Sequence, residues 1–328
     1  RVPWHRTLPP HVDGQLIGPD VAFDGAAIDS RVVAPGQLFV PIVAARDGHA
    51  FVGAALGAGA VAYLASDRHV VDEHGGTAVL VEDTLAALQA GGRLARTRLP
   101  DPVIGITGSV GKTSVKDLLA AVLAQHRRTA ASERSFNNEL GVPLTLLGAP
   151  DGTEAVVVEM GARDVGHIAD LCAIAAPTVG VVTRVAAVHT EVFGTIEDVA
   201  RAKAELVRDL PASGVAVLNA DDERVAAMAE VTAARVVTFG ERGDVRAEDV
   251  ALDGELRAAF RLRSPWGDVD VELGSRGRHQ VDNALAAAAA ALASGSSLDH
   301  VAAGLAEAAL SPWRMELATA PSGALVLN

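Results

Sequence analysis

Through the middle of the chain, short runs of consecutive apolar residues alternate with longer stretches in which apolar positions recur every three or four residues. Val103–Thr107, Glu154–Val158, Thr178–Thr183, Gly214–Leu218 and Arg235–Phe239 are the runs, and each predicts a β-strand. Lys112–Ala124 carries helical spacing, and further helical stretches separate the later runs. Continuously apolar strands are buried on both faces, so this alternation predicts a mainly parallel sheet flanked by helices. Nearer the end the pattern changes. Leu256–Arg263 and Asp268–Leu273 alternate apolar and polar around Ser264-Pro265-Trp266-Gly267, which predicts a small antiparallel hairpin. Helices from His279 to Ala293 and from Leu298 to Ala309 follow it.

Residues 1–99 read as a separate unit. Ala26–Ser30, Gln37–Val40, Val61–Leu64 and Ala78–Val81 are short β-like runs, with helical segments at Phe51–Ala58 and Leu85–Arg96. Pro100 and Pro102 punctuate the boundary. The expected fold is α/β: a small mixed N-terminal domain (1–99), a central domain (100–312), and a short stretch (313–328) ending on the apolar run Ala324–Leu327.

Composition narrows the function. Nearly half the residues are hydrophobic but only 3% are aromatic, so Ala, Val and Leu must build the cores. A formal charge of −13 excludes the broad basic surface that nucleic-acid binding requires. It leaves open an anionic small substrate, for which a few cations and backbone N–H groups suffice. The single cysteine, Cys172, excludes an internal disulfide, lies in an apolar run that predicts burial, and fits a reducing, cytoplasmic compartment. No run of about 18 apolar residues predicts a membrane span, and no signal peptide is visible.

The strongest chemical signal is Gly105-Ile106-Thr107-Gly108-Ser109-Val110-Gly111-Lys112-Thr113, placed between a predicted strand and a predicted helix. Glycines let successive N–H groups turn toward phosphate oxygens at a helix N-terminus. Lys112 can reach the β- and γ-phosphates of ATP, and the Thr113 hydroxyl can ligate Mg²⁺. The general phosphate-loop pattern places glycine where Ile106 stands; here the glycines fall three residues apart. Glu159 ends an apolar strand, the position where ligands bind in parallel sheets, and reads as a Mg²⁺ ligand, a water-positioning group or a solvated strand end. His189 follows another strand and reads as functional or structural. Lys203, within Arg201-Ala202-Lys203-Ala204-Glu205, reads as a helix-surface lysine. Gly277–Asn283 opens an Ala-rich helix and reads either as ligand-binding or as capping.

Taken together, these segments resemble the Mur ligase family over nearly the whole chain. The spaced-glycine loop Gly105–Thr113 is similar to that family's form, which accounts for Ile106. Ser135–Leu146, with Phe136-Asn137-Asn138-Glu139, resembles the branch that adds D-alanyl-D-alanine to UDP-N-acetylmuramoyl-tripeptide in peptidoglycan precursor synthesis. Glu159–Arg163, Ala202–Glu205 and Gly277–His279 are further matches. The resemblance implies an ATP-dependent acid–amino-acid ligase, with Lys112, Lys203 and His189 catalytic. It implies Thr113, Glu159, His189 and Lys203 at Mg²⁺, with Lys203 carbamylated by CO₂. Gly108, Ser109, Val110, Gly111, Lys112, Thr113, Ser114, His279, Asn283 and Arg314 are expected at ATP. Ser30, Arg31, Asp47, Gly48, His49, Asn137 and Asn138 are expected at the UDP-linked peptide.

Some positions depart from the family pattern: Arg184, Ala186 and Ala187 before His189, Thr190 after it, Ala50 after His49, and Trp313 before Arg314. These leave open a related ligase acting on a cyanophycin-type or folate-type carboxylate, or a nucleotide-binding fragment without ligase activity. The resemblance also implies a third domain from about Asn328 onward that brings the amino-acid substrate. This chain alone is therefore expected to bind ATP without forming the amide, as a monomer.

Overall fold

The computed structural model describes residues 8–133, 136–187, 194–312, 314–315, 317–319 and 325–327. Two compact units emerge: residues 1–99 with 139–152 and 173–175, and residues 100–138 with 153–172 and 176–328.

The first unit is built on five short strands: β1 (Gln15–Ile17), β2 (Ala26–Ala27), β3 (Leu38–Phe39), β4 (Ala62–Ala65) and β5 (Ala78–Leu80). Their order is β1-β5-β4-β3-β2, with β1 antiparallel to β5 and the other pairs parallel. Tyr63, Phe39, Val52 and Ala55 fill its core. Helices α1 (Leu8–His11), α2 (Val52–Gly57), α3 (Arg68–His74) and α4 (Thr84–Arg96) accompany the sheet. The last two start at aspartates: Asp67 accepts from His69 N–H, and Asp83 accepts from Leu85 and Ala86 N–H, satisfying donors that the first helical turn leaves open. The helix Gly141–Leu147 belongs here too, although the chain reaches it only after entering the second unit. Gly92 on α4 explains the fit, because a Cβ there would lie 2.6 Å from Pro143 Cβ.

The second unit centres on a six-stranded, all-parallel sheet: β6 (Val103–Thr107), β7 (Thr129–Ala131), β8 (Ala155–Glu159), β9 (Val179–Val182), β10 (Val215–Asn219) and β11 (Arg235–Phe239). The order is β11-β10-β9-β6-β8-β7. β6 is thus flanked by β8 on one side and β9 on the other, and strand order reverses there. Such a switch point opens a crevice beyond the carboxyl ends of the strands.

Helix α5 (Lys112–Ala124) follows β6, and α6 (Ile196–Arg208) follows β9. A three-stranded antiparallel sheet, β12 (Arg246–Leu252), β13 (Arg257–Ser264) and β14 (Gly267–Arg276), contains the predicted hairpin plus one strand more. Then come α7 (Gln280–Ala293) and α8 (Leu298–Glu307). Ala284 and Ala286–Ala291 of α7 are all fully buried in one core with β6, α5 and β14 residues, where the small side chains permit close packing. Gly304 of α8 packs on the α5 backbone; a Cβ would fall onto Val122 Cα. Cys172 is buried as expected, and burial pushes its thiol up to about 12. No helix among the described residues is long and apolar enough to cross a membrane.

Candidate functional site

The glycine-rich loop lies at the switch point, directly after β6. Gly108 and Gly111 take φ of +146° and +86°, conformations that side-chain-bearing residues rarely adopt. Space is equally restrictive, since a Cβ on Gly108 would overlap Thr183 Oγ1. The loop is held against the segment after β9. Ser109 N–H donates to Arg184 O at 2.7 Å, and Ser109 Oγ accepts from Ala186 N–H at 3.0 Å. Thr183 Oγ1 donates to Val110 O at 2.6 Å. From β10, Asn219 Nδ2 donates to Thr183 O at 2.8 Å, and Asp222 just beyond accepts from Val185 N–H at 2.8 Å.

Lys112 curls back over the loop, its Nζ donating to Gly108 O at 2.9 Å. Burial pushes its ammonium below the ordinary lysine range, Glu159 draws it back up, and Arg314 adds to the lowering. Glu159, at the end of β8, is 1% exposed. Thr113 Oγ1 donates to its Oε2 at 2.8 Å and Asn137 Nδ2 to its Oε1 at 2.8 Å. Its solvated-strand-end reading is thereby excluded. The Glu159 carboxylate and the Thr113 hydroxyl are oxygen donors of the kind a hard cation such as Mg²⁺ takes, whereas the Lys112 ammonium suits phosphate oxygens.

The helix-surface reading of Lys203 is corrected: the residue is only 4% exposed. Val199, Ala202, Lys203, Leu206 and Val207 are all buried on α6, so the lysine stands in the helix's apolar stripe. Burial, and then the nearby Lys112 charge, lower its pKa to about 8. His189 and Ser135 lie outside the described residues.

Beside the loop opens a cavity of about 340 Å³. Val110, Gly111, Ser114, His279, Asn283 and Arg314, all expected at the nucleotide, line it. His279 is the N-cap residue of α7 but makes no side-chain capping bond, which removes the capping alternative for its ring. Instead the ring meets Gln280 Nε2 at 3.2 Å, and Asn283 Nδ2 donates to Gln280 Oε1 at 2.8 Å. Arg314 Nε is buried with no hydrogen-bond partner among the described residues. Gln280 and Asp282, from the singled-out Gly277–Asn283 stretch, also line the cavity, as do Asn219 and Phe239, which were not read from sequence as site residues. Asn219 and Phe239 end β10 and β11, so strand-end position was the signal that pointed to them.

In the first unit, Arg31 is exposed and pairs with Asp29 through Nη2 at 2.6 Å, and this bond holds the Asp29 carboxyl down at about 2. Ser30 between them is half-buried. The His49 ring is buried and committed within the unit: Nδ1 meets Asp47 Oδ1 at 2.6 Å, and Nε2 accepts from Ser66 N–H at 3.0 Å. Gly48 N–H donates to Ile42 O at 3.0 Å, so the Asp47-Gly48-His49 turn is fastened at each residue. Asn138 is half-buried next to Asn137.

A family profile described as the Mur ligase middle domain matches residues 106–291, more than half of the chain. The chain belongs to the Mur ligase family. A UDP-N-acetylmuramoyl-tripeptide–D-alanyl-D-alanine ligase of Mycobacterium bovis is 44% identical to this chain over 326 residues, covering 92% of the chain and 63% of the relative. The chain thus spans about 63% of the length of that relative. Among solved structures, MurF from Acinetobacter baumannii superimposes with a TM-score of 0.89 at 30% identity, covering 99% of this chain and 72% of that one. The MurF ligase from Thermotoga maritima, solved in complex with ADP, gives a TM-score of 0.77 at 29% identity, covering 90% and 68%.

Proposed function

We propose that the protein is an ATP-dependent amide ligase that joins D-alanyl-D-alanine to UDP-N-acetylmuramoyl-tripeptide through an acyl phosphate, in peptidoglycan precursor synthesis. The observation that carries this reading is the Thr113–Glu159–Asn137 constellation, joining the phosphate loop to the Asn137-Asn138 segment at the switch point. The names of the relatives supply the substrate pair.

In this reading the loop N–H groups and Lys112 bind and align the β- and γ-phosphates. The terminal carboxylate of the UDP-linked peptide attacks the γ-phosphorus; an O–P bond forms, the bond to ADP breaks, and an acyl phosphate results. The D-alanyl-D-alanine amine then attacks the acyl carbon and phosphate leaves. Alignment and charge neutralisation supply most of the acceleration, because phosphoryl transfer asks little covalent help of a protein. Thr113, Glu159, Lys203 and His189 are the residues we assign to Mg²⁺, which supplies positive charge against the phosphate oxygens when bound. Lys203 suits carbamylation, since a pKa lowered from 10.5 to about 8 raises the neutral, nucleophilic share of its amine well above that of an ordinary lysine. The ammonium would first give up a proton, and the neutral amine would then add to CO₂ with loss of a second, so that a cation becomes an anionic carbamate. His279, Asn283 and Arg314 hold the remainder of the nucleotide. Ser30, Arg31 and the Asp47–His49 turn belong to the UDP end, with His49 holding the turn in shape. A cytoplasmic monomer is the state this reading expects.

Phosphate release by the full-length protein that requires ATP, the UDP-tripeptide and the dipeptide together is the expected result. Release driven by a different carboxylate, or with the dipeptide omitted, would overturn it.

A further inference from the structure

Lys116 stands one turn beyond Lys112 on α5 and is 3% exposed, yet the proposed reaction leaves it no task. A buried ammonium is costly unless it is paired and hydrogen-bonded. Its Nζ lies 3.0 Å from Asp117 Oδ1 and donates to the Ser132 carbonyl at 2.8 Å. Ser132 follows β7 and is 2% exposed. Its N–H donates to Val157 O at 2.9 Å, and its hydroxyl accepts from Glu159 N–H at 3.2 Å. Ser132 therefore joins the Lys116 ammonium to the backbone of the residue whose carboxylate receives Thr113 and Asn137. Asp117 extends the connection the other way, its Oδ2 accepting from Ser311 N–H at 2.7 Å. Arg314, three residues on, lines the nucleotide cavity.

We infer that Lys116 is a positioning residue for Glu159, acting through Ser132. The inference rests on the reading of Glu159 as the carboxylate that accompanies Mg²⁺ and ATP. Two lysines of one helix then divide the work. Lys112 serves the phosphate loop, and Lys116 braces the end of β8 through the edge strand. Asp117 balances the buried charge and ties Ser311 to the same helix. Residues that orient a metal ligand in this way change metal affinity when replaced, by about 10-fold or more.

The test is calorimetric titration of the chain with ATP, once with Mg²⁺ and once with a chelator. It compares wild type, Lys116→Met, Lys116→Arg, Ser132→Ala and the Lys116→Met/Ser132→Ala double variant. Wild type is expected to bind ATP more tightly with Mg²⁺. Lys116→Met should keep the metal-free affinity within about twofold and lose about tenfold of the Mg²⁺-dependent gain. Lys116→Arg, which keeps a donor for Ser132, should recover part of it. Ser132→Ala should reproduce the loss, and the double variant should add little, because groups in one hydrogen-bonded path are not additive. Equal losses with and without Mg²⁺ in Lys116→Met would reduce the residue to packing and overturn the inference. An intact Mg²⁺ gain in Lys116→Met and Ser132→Ala would do the same. If Lys116→Met fails to fold, Lys116→Gln, which removes the ammonium but keeps a polar end, takes its place and is read the same way. Absence of ATP binding by wild type would instead sink the reading of the site itself.

Discussion

Glu159 shows what one side chain can gather. It ends β8 at 1% exposure and draws in the Thr113 hydroxyl and the Asn137 amide. Glu159→Gln keeps the shape and removes the charge. On the proposed function, ligase turnover by the full-length protein should fall about 100-fold or more, as when other charge-stabilising groups are removed, with ATP affinity in chelator barely altered. Steady-state kinetics with a parallel binding titration checks both parts. Lys203 makes a prediction through pH. Its folded pKa of about 8 lies below the ordinary lysine value of 10.5, so between those values the unfolded chain binds more protons. Its contribution to stability is therefore fully present above about 10.5 and lost as pH falls through 8. In CO₂-free buffer, urea titrations of Lys203→Met should lack this rise with pH. An unchanged slope would show that the lysine is solvated. The burial of Lys203 was legible after all, since Val199, Ala202, Leu206 and Val207 flank it at helical spacing.

At the scale of elements, the patterns that announced themselves were continuous apolar runs and helical spacing. β6 and β11 occupy the expected residues, and α5 begins and ends where its spacing predicted. The strands that escaped notice lie at sheet edges. β12 pairs only with β13, carries a register shift between Glu248 and Ala251, and has no fully buried residue, so it has no apolar run to read. β7 is three half-buried residues at the other sheet's edge. Packing between helices yields a further prediction. Gly304 lets α8 lie on the α5 backbone at Val122, and Gly304→Val should destabilise the second unit by about 1–3 kcal/mol through overpacking. The midpoint of urea denaturation measures it.

For the molecule as a whole, the chain leaves a unit and returns to it. Residues 139–152 and 173–175 belong to the first unit although they are bracketed by strands of the second. Linear boundary signals such as Pro100 and Pro102 mark the main passage between units, and no local signal marks a return that depends on Gly92 admitting Pro143. Nucleotide binding should act on the second unit. At about 100 times its dissociation constant, ATP with Mg²⁺ should add about 2.7 kcal/mol to that unit's stability. Hydrogen exchange should slow in residues 105–116 and 279–283, and unchanged exchange there would place the nucleotide elsewhere.

By itself the sequence determined the parallel sheet, the phosphate loop, the helix it opens and the family. These follow from local signals, namely apolar runs, helical spacing and glycines at a strand-to-helix turn, and each needs only neighbouring residues. The tertiary structure alone decided which side chains meet. Glu159 reaches Thr113 across 46 positions, and Asp117 reaches the Ser311 backbone across 194. Strand order brings such residues together, and strand order is settled by how the whole core packs. Lys116 shows the difference most plainly, because a lysine in a helical pattern carries no mark of where its ammonium ends.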